Sequence, residues 1–121
     1  MDQKAFHMTL LYDFYGDLLT DRQKEFYDLY HNEDLSLAEI AENAGITRQG
    51  VRDVLIRAEA TLKELEEKTG LIRRFLAVRA GLNTIEDAAA RIATLNNGAL
   101  NSTELAQLVE TIQETVNTLK E

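Results

Sequence analysis

An all-α protein organised around a helix-turn-helix is predicted from three features of this 121-residue chain. It contains no Pro and only six Gly, and Ala, Leu, Glu, Lys, Arg and Gln dominate, so helix is favoured almost throughout. No stretch alternates apolar and polar residues in the manner of a half-buried strand. The segment Leu35 to Arg57, LSLAEIAENAGITRQGVRDVLIR, reads as two helices joined by a tight turn. The expected architecture is a trihelical core without a wing, preceded by an aromatic helix and followed by a helical extension.

Residues 4–19 are expected to form the first helix. Phe6, Leu10, Phe14 and Leu18 make one stripe, with Leu11, Tyr15 and Leu19 beside it, and so wide a face needs a partner surface. Gly16 would let another helix pack close. Thr20, followed three residues later by Gln23, is a capping box in which each side chain satisfies a backbone N–H at a helix start. The helix it opens should run to about Asn32 with Phe26, Leu29 and Tyr30 facing inward, and Asn32-Glu33-Asp34 is a polar turn.

In the central segment Ser36 and Glu39 form another capping box. Ile40 and Ala41 supply the buried side of the short helix that follows, and the small Ala38 and Ala41 let a second helix approach. Gly45 suits the left-handed conformation that ends a helix and reverses the chain, with Ile46 as the apolar plug beneath. Thr47 then caps a second helix whose first exposed residues are Arg48, Gln49 and Arg52. Val51, Val54, Leu55 and Ala58, at spacings of three and four, give that helix its inward face. In this motif the second helix presents its N-terminal residues to base edges in the major groove. Arg can donate two hydrogen bonds to guanine, Gln can pair with adenine, and the free N–H groups at the helix start suit a phosphate.

The second motif helix continues through Leu62 and Leu65 and is expected to end at Lys68-Thr69-Gly70, with a cation in the last turn and Gly just beyond it. Leu71 to Asn96 is expected as one long helix that Gly81 could bend and that Asn83-Thr84-Ile85-Glu86 could recap. Its expected buried set is Leu71, Ile72, Phe75, Leu76, Leu82, Ile85, Ala89, Ile92 and Leu95. Asn96-Asn97-Gly98 reads as a loop. A last helix from about Ser102 to Leu119 carries Leu105, Leu108, Val109, Ile112, Val116 and Leu119 on one face. Leu105, Ile112 and Leu119 are seven apart, which suits either packing within the chain or a helix from a second copy. The expected division is a helix-turn-helix domain at residues 1–70 and a helical extension at 71–121, packed on the first and dimerising.

The net charge of −8 is unevenly spread. Residues 1–34 carry three basic and eight acidic side chains, residues 35–58 three of each, residues 59–82 five and four, and residues 83–121 two and six. A modest basic face, Arg48, Arg52 and Arg57, therefore sits on an acidic body. Such a face neutralises few phosphates, which argues against tight sequence-independent binding. With no Cys, disulfides, thiol catalysis and Cys-based zinc sites are excluded. The N-terminus is polar with helically spaced apolar residues, so neither a signal peptide nor a membrane span is expected, and the protein should be cytoplasmic and make no membrane contact. His7 and His31 lie on different helices, the Asp13, Asp17 and Asp21 spacing suits a solvated face, and no Gly-rich phosphate loop exists. No catalytic constellation, metal or cofactor follows.

Four stretches taken together, LYDFYGDLLT, Q-x-x-x-x-x-L-Y, D-L-S-L-A-E-I-A and T-R-Q-G-V, resemble the YlxM family of small bacterial helix-turn-helix proteins over roughly residues 6–80. The central unit is also similar to the fourth region of bacterial sigma factors, which reads promoter elements. That resemblance implies that Arg48, Gln49 and Arg52 face bases while Ser36, Thr47 and Arg57 approach phosphates. Gly50 stands where the family usually carries Ala, a cost to the reading helix of up to about 1 kcal/mol. The family's genes lie beside that of the signal recognition particle GTPase, which implies a part in that targeting pathway.

Two functions of different class follow. The first is a DNA-binding regulator, dimeric, reading double-stranded DNA with Arg48, Gln49 and Arg52. The second is an accessory module that docks on the signal recognition particle GTPase or its RNA. A further alternative makes the motif a scaffold and the first aromatic helix, around Phe14, the interaction surface.

Overall fold

The computed structural model describes residues 3–121, and six α-helices account for most of them. They are α1 (Gln3–Tyr15), α2 (Asp21–His31), α3 (Leu37–Ala44), α4 (Arg48–Thr69), α5 (Leu71–Leu95) and α6 (Thr103–Lys120). Their starts are set by side chains that satisfy orphan backbone donors. Thr20 Oγ1 accepts from the Gln23 N–H at 3.2 Å while Gln23 Oε1 accepts from the Thr20 N–H at 3.0 Å. Ser36 and Glu39 repeat this reciprocal pair, both bonds at 3.1 Å. No strand occurs among the described residues, so the fold is all-α and no wing follows the motif.

The first helix is shorter than the sequence expectation and buries only one side of the wide face expected, the side with Leu11, Tyr15 and Leu19. It ends at Tyr15, and residues Gly16–Leu18 form a single 3-10 turn. Met8, Leu11, Tyr15 and Leu19 are buried, whereas Phe6, Phe14 and Leu18 point outward. A strict i+4 row drifts by about 40° per step on a 3.6-residue helix, so the row from Phe6 to Leu18 winds off the contact face. Met8, Leu11 and Tyr15, spaced three and four, stay on it. At Gly16, which is buried, a Cβ would first meet the ring of Tyr12, at 3.2 Å.

The chain divides into two compact units, one ending at Ile72 and the other spanning Arg73–Glu121. In the first, α2 and α3 pack on α4, and α1 lies on α4 as well. Phe26, Tyr27, Ile40, Val51, Leu55 and Leu62 form the centre of its core. Two polar clusters tie α1 in. Tyr15 OH donates to Glu66 Oε1 at 2.6 Å, and the same oxygen accepts from the Ile72 N–H at 3.0 Å, which joins α1, the end of α4 and the start of α5. Tyr27 OH donates to the Met8 carbonyl at 3.2 Å, and the Tyr27 ring stacks on that of Tyr12 at 4.9 Å.

Burial, with the Glu59 carboxylate second, pushes the Tyr27 phenol well above the ordinary 10.0. Burial and then the bond to Glu66 raise that of Tyr15. The folded state thus holds protons that the unfolded chain releases. The associated stability is intact below the unfolded pKa of about 10 and is lost as pH rises toward the folded values. Thermal melts should therefore show a midpoint that drops above about pH 10, with a shallower alkaline decline in Tyr27→Phe. Equal slopes for the two proteins would remove Tyr27 from the account.

In the second unit α5 and α6 run antiparallel. Lys120 Nζ donates to Glu86 Oε2 at 3.3 Å at one end, and Asn96 clamps Ser102 at the other. α5 is a single helix through Gly81, and Thr84 donates its hydroxyl to the Ala80 carbonyl at 3.1 Å instead of capping a new start. Of the set expected to be buried on α5, Ile72, Leu82 and Ala89 are, while Leu71, Phe75, Leu76, Ile85, Ile92 and Leu95 are exposed. On α6 only Val109 and Val116 are buried. A pair of helices covers one row of each, not a whole apolar face. The expected loop at Asn96-Asn97-Gly98 is a π-helical turn, Asn96–Leu100. Asn96 is buried at 3% exposure because its side chain serves as backbone partner, donating to the Ser102 carbonyl at 2.9 Å and accepting from its N–H at 2.8 Å.

Candidate nucleic-acid interface

The second helix of the motif, α4, is aimed by what lies beneath it. Gly45 adopts φ 71°, ψ 31°, ends α3 and turns the chain, and the Ile46 N–H donates to the Ala41 carbonyl at 3.1 Å. Thr47 Oγ1 accepts from the Gly50 N–H at 3.0 Å and starts α4. Val51 and Leu55 then anchor α4 in the core, fixing the rotation of the helix about its axis. A Cβ at Gly45 would meet nothing within 4 Å, so its requirement for Gly is one of backbone conformation alone. Gly45→Ala is expected to cost about 1–2 kcal/mol, the penalty of a left-handed residue with a side chain, read as a lowered thermal midpoint. An unchanged midpoint would mean the turn relaxes without cost.

Arg48, Gln49 and Arg52 are all exposed on the first turn and a half of α4. Arg48 and Arg52, four apart, share one stripe, and neither makes an ion pair among the described residues. Their guanidinium groups are thus available to an anion or a base edge. Gln49 is engaged, donating from Nε2 to Asp53 Oδ1 at 3.0 Å, and would have to leave that bond to pair with adenine. The i, i+4 spacing of Gln49 and Asp53 signals the bond in the sequence. Ser36 and Thr47 stand exposed at the starts of α3 and α4. Their oxygens accept backbone caps and their hydroxyl protons remain to be given to a phosphate. Arg57 is exposed too, but nine residues beyond Arg48 it lies roughly 13 Å along the helix and half a turn round it. Thr47, Arg48, Gln49 and Arg52 thus lie together at the start of α4, while Ser36 stands at the opposite end of α3 from the turn and Arg57 lies further along α4.

Two features of this surface were not read from the sequence. Ile56, one turn after Arg52, is 51% exposed, an aliphatic side chain on the same stripe as the arginines. A shallow groove of about 180 Å³ lies beside it, lined by Tyr30, Leu37, Arg52, Leu55, Ile56 and Glu59. Ile56 sits one residue from the buried Leu55, so helical spacing alone does not tell which way it points. Behind the groove His31 Nε2 lies 3.3 Å from Glu59 Oε1, its ring 4.2 Å from that of Tyr27, a packing role for this histidine. A Cβ at Gly50 would come within 3.2 Å of Thr47 Oγ1, the oxygen that caps the helix.

Compared with known proteins, the chain matches the family described as "Putative helix-turn-helix protein, YlxM / p13 like" over residues 2–99. It is 50% identical over 86 residues to a UPF0122 protein of Thermoanaerobacter sp. (strain X514), covering 71% of this chain and 74% of that one. A UPF0122 protein of Acetivibrio thermocellus is 40% identical over 119 residues, covering 98% and 97%. The UPF0122 protein YlxM of Bacillus subtilis (strain 168) is 35% identical over 112 residues, covering 93% and 96%. The similarity thus runs well beyond residue 80, where the motifs alone had placed its end.

Proposed function

We propose, because this chain belongs to the YlxM / p13-like family of helix-turn-helix proteins, that it binds duplex DNA with the N-terminal half of α4 in the major groove. The observation that carries this reading is the pair of unpartnered, exposed guanidinium groups, Arg48 and Arg52, on the helix whose inward side is locked into the core. In it Arg48 and Arg52 read guanine, Gln49 reads adenine once released from Asp53, and Ser36, Thr47 and Arg57 hold phosphates. The protein acts as a regulator in the cytoplasm, and a homodimer would offer two such helices about one DNA turn, ~34 Å, apart. Selection from a random duplex pool tests this. The wild-type protein should enrich a short motif containing G, and Arg48→Ala/Arg52→Ala should enrich none. A pool left unchanged by the wild-type protein would refute it.

A second reading is favoured by the net charge of −8 and by Ile56 beside its groove, an apolar feature of little use against phosphates. There the same face docks on the signal recognition particle GTPase, the protein arm of the alternative to which these two features point, rather than on its RNA. Ile56→Asp separates the two: it should abolish docking to the GTPase and change duplex binding by only a few fold.

A further inference from the structure

Each helix of the C-terminal hairpin carries a seven-residue repeat, and the hairpin covers only half of it. On α5 Leu82 and Ala89 are buried, while Ile85 and Ile92, three residues after each, stay exposed, as does Val78 one repeat earlier. On α6 Val109 and Val116 are buried, while Ile112 and Leu119, again three residues after each, stay exposed, as does Leu108. Three residues turn a helix by 300°, which is 60° backwards. In two antiparallel helices the same rotation away from the line of contact brings both exposed rows to the same side of the hairpin. Val78 beside Leu119 and Ile85 beside Ile112 therefore form rungs of one apolar face.

That face has no charge along its middle. Gly81 and Ala88 lie between the α5 aliphatics and Thr115 between those of α6, while Asp87, Glu110 and Glu114 fall on the opposite side and Arg91 at its back by helical position; Arg74 and Glu104 share the face but stand at its two ends. The unit's own core is thin, with Leu82, Ala89, Val109 and Val116 as its buried apolar side chains. A two-helix unit of this size rarely holds a core without a further layer. The six aliphatics on the face are 37% to 64% exposed. With the small residues between them they offer on the order of several hundred Å² per copy, the scale of the ~800 Å² that each partner buries in a standard-size interface.

The geometry points to a second copy of this chain as the occupant: two hairpins pack face to face into a four-helix bundle, with Ile85 and Ile112 at its centre. A face that is apolar through its middle, with a matched seven-residue repeat on both helices and one charge of each sign at its ends, is self-complementary, as an isologous interface requires. A partner chosen by charge, such as nucleic acid or a basic protein, finds no cluster of one sign there. This goes beyond the nucleic-acid reading and does not depend on it, because its test uses the free protein.

Sedimentation of the full chain without nucleic acid, from about 1 to 100 μM, is the experiment. The wild-type protein should sediment at twice the mass of 13.7 kDa, and Ile85→Glu/Ile112→Glu should weaken dimerisation at least a hundredfold with helix content retained. A monomeric wild-type protein, or a double variant that still dimerises, overturns the inference. Should the double variant lose helix content, cysteine linking decides, since the chain has no Cys of its own. Ile85→Cys and Ile112→Cys, each alone or mixed one to one, should give a covalent dimer on mild oxidation in at least one combination. No covalent dimer in any of the three overturns it as well.

Discussion

Replacing Arg48 and Arg52 together by Ala is expected to weaken specific duplex binding by roughly 10²- to 10⁴-fold, each arginine–guanine pair being worth about 1–3 kcal/mol. The thermal midpoint should hardly move. Both side chains are exposed and pair with nothing among the described residues, and substitutions at such positions usually stay within about 0.5 kcal/mol. Fluorescence anisotropy on a selected duplex, beside thermal melts of both proteins, provides the check. Binding retained to within a few fold would take the reading function away from α4. Arg57→Ala should behave differently. On the flank of the helix it would lower affinity evenly across sequences and reduce the salt dependence, as expected of a phosphate contact.

The second large effect belongs to the core that holds α4 in place. Phe26 is 2% exposed, and Phe26→Ala is expected to cost about 3–5 kcal/mol through lost burial and the cavity left behind. The guanidinium of Arg22, 5.4 Å over that ring, would lose its contact as well. Against a total stability of about 5–15 kcal/mol, this brings the first unit close to unfolding. Urea titration followed by helix signal should show the midpoint shift, and duplex binding should fall in proportion to the folded fraction. The contrast with the arginine pair is diagnostic, since one variant loses binding while folded and the other loses it by unfolding. A shift in stability below about 1 kcal/mol would mean that the site collapses around the gap more readily than a close-packed core allows.

Local chemistry was legible in the sequence, and what depends on distant surfaces was not. The caps at Thr20, Ser36 and Thr47 and the left-handed Gly45 are decided within four residues, so sequence places them where the structure does. The end of α4 at Gly70, with φ 63°, is of the same kind. Sequence marks α1 as apolar over a wide face, Leu11, Tyr15 and Leu19 included, but both the Phe6–Leu18 and Met8–Leu19 rows are apolar, and only the position of the neighbouring helices decides which is buried. Asn96 looked like a loop residue because its composition is polar. Its amide instead stands in for backbone partners across the turn to Ser102, a contact between residues six apart that no periodicity reveals. The arginines of the candidate interface were found by their position after a cap, whereas Ile56 was not. The apolar residues of α5 and α6 were recognised as a face, but their exposure depends on what covers them.

The central claim is that the helix-turn-helix reads duplex DNA. The most direct test is titration of labelled duplex DNA and of signal recognition particle RNA with the wild-type protein across a salt series. The account predicts sequence-specific DNA binding with a shallow salt dependence, log K falling with a slope of about −2 to −4 against log salt, because few phosphates meet a basic group. RNA should bind more weakly at every salt concentration. RNA binding with no DNA binding would contradict it and move the protein to the targeting pathway.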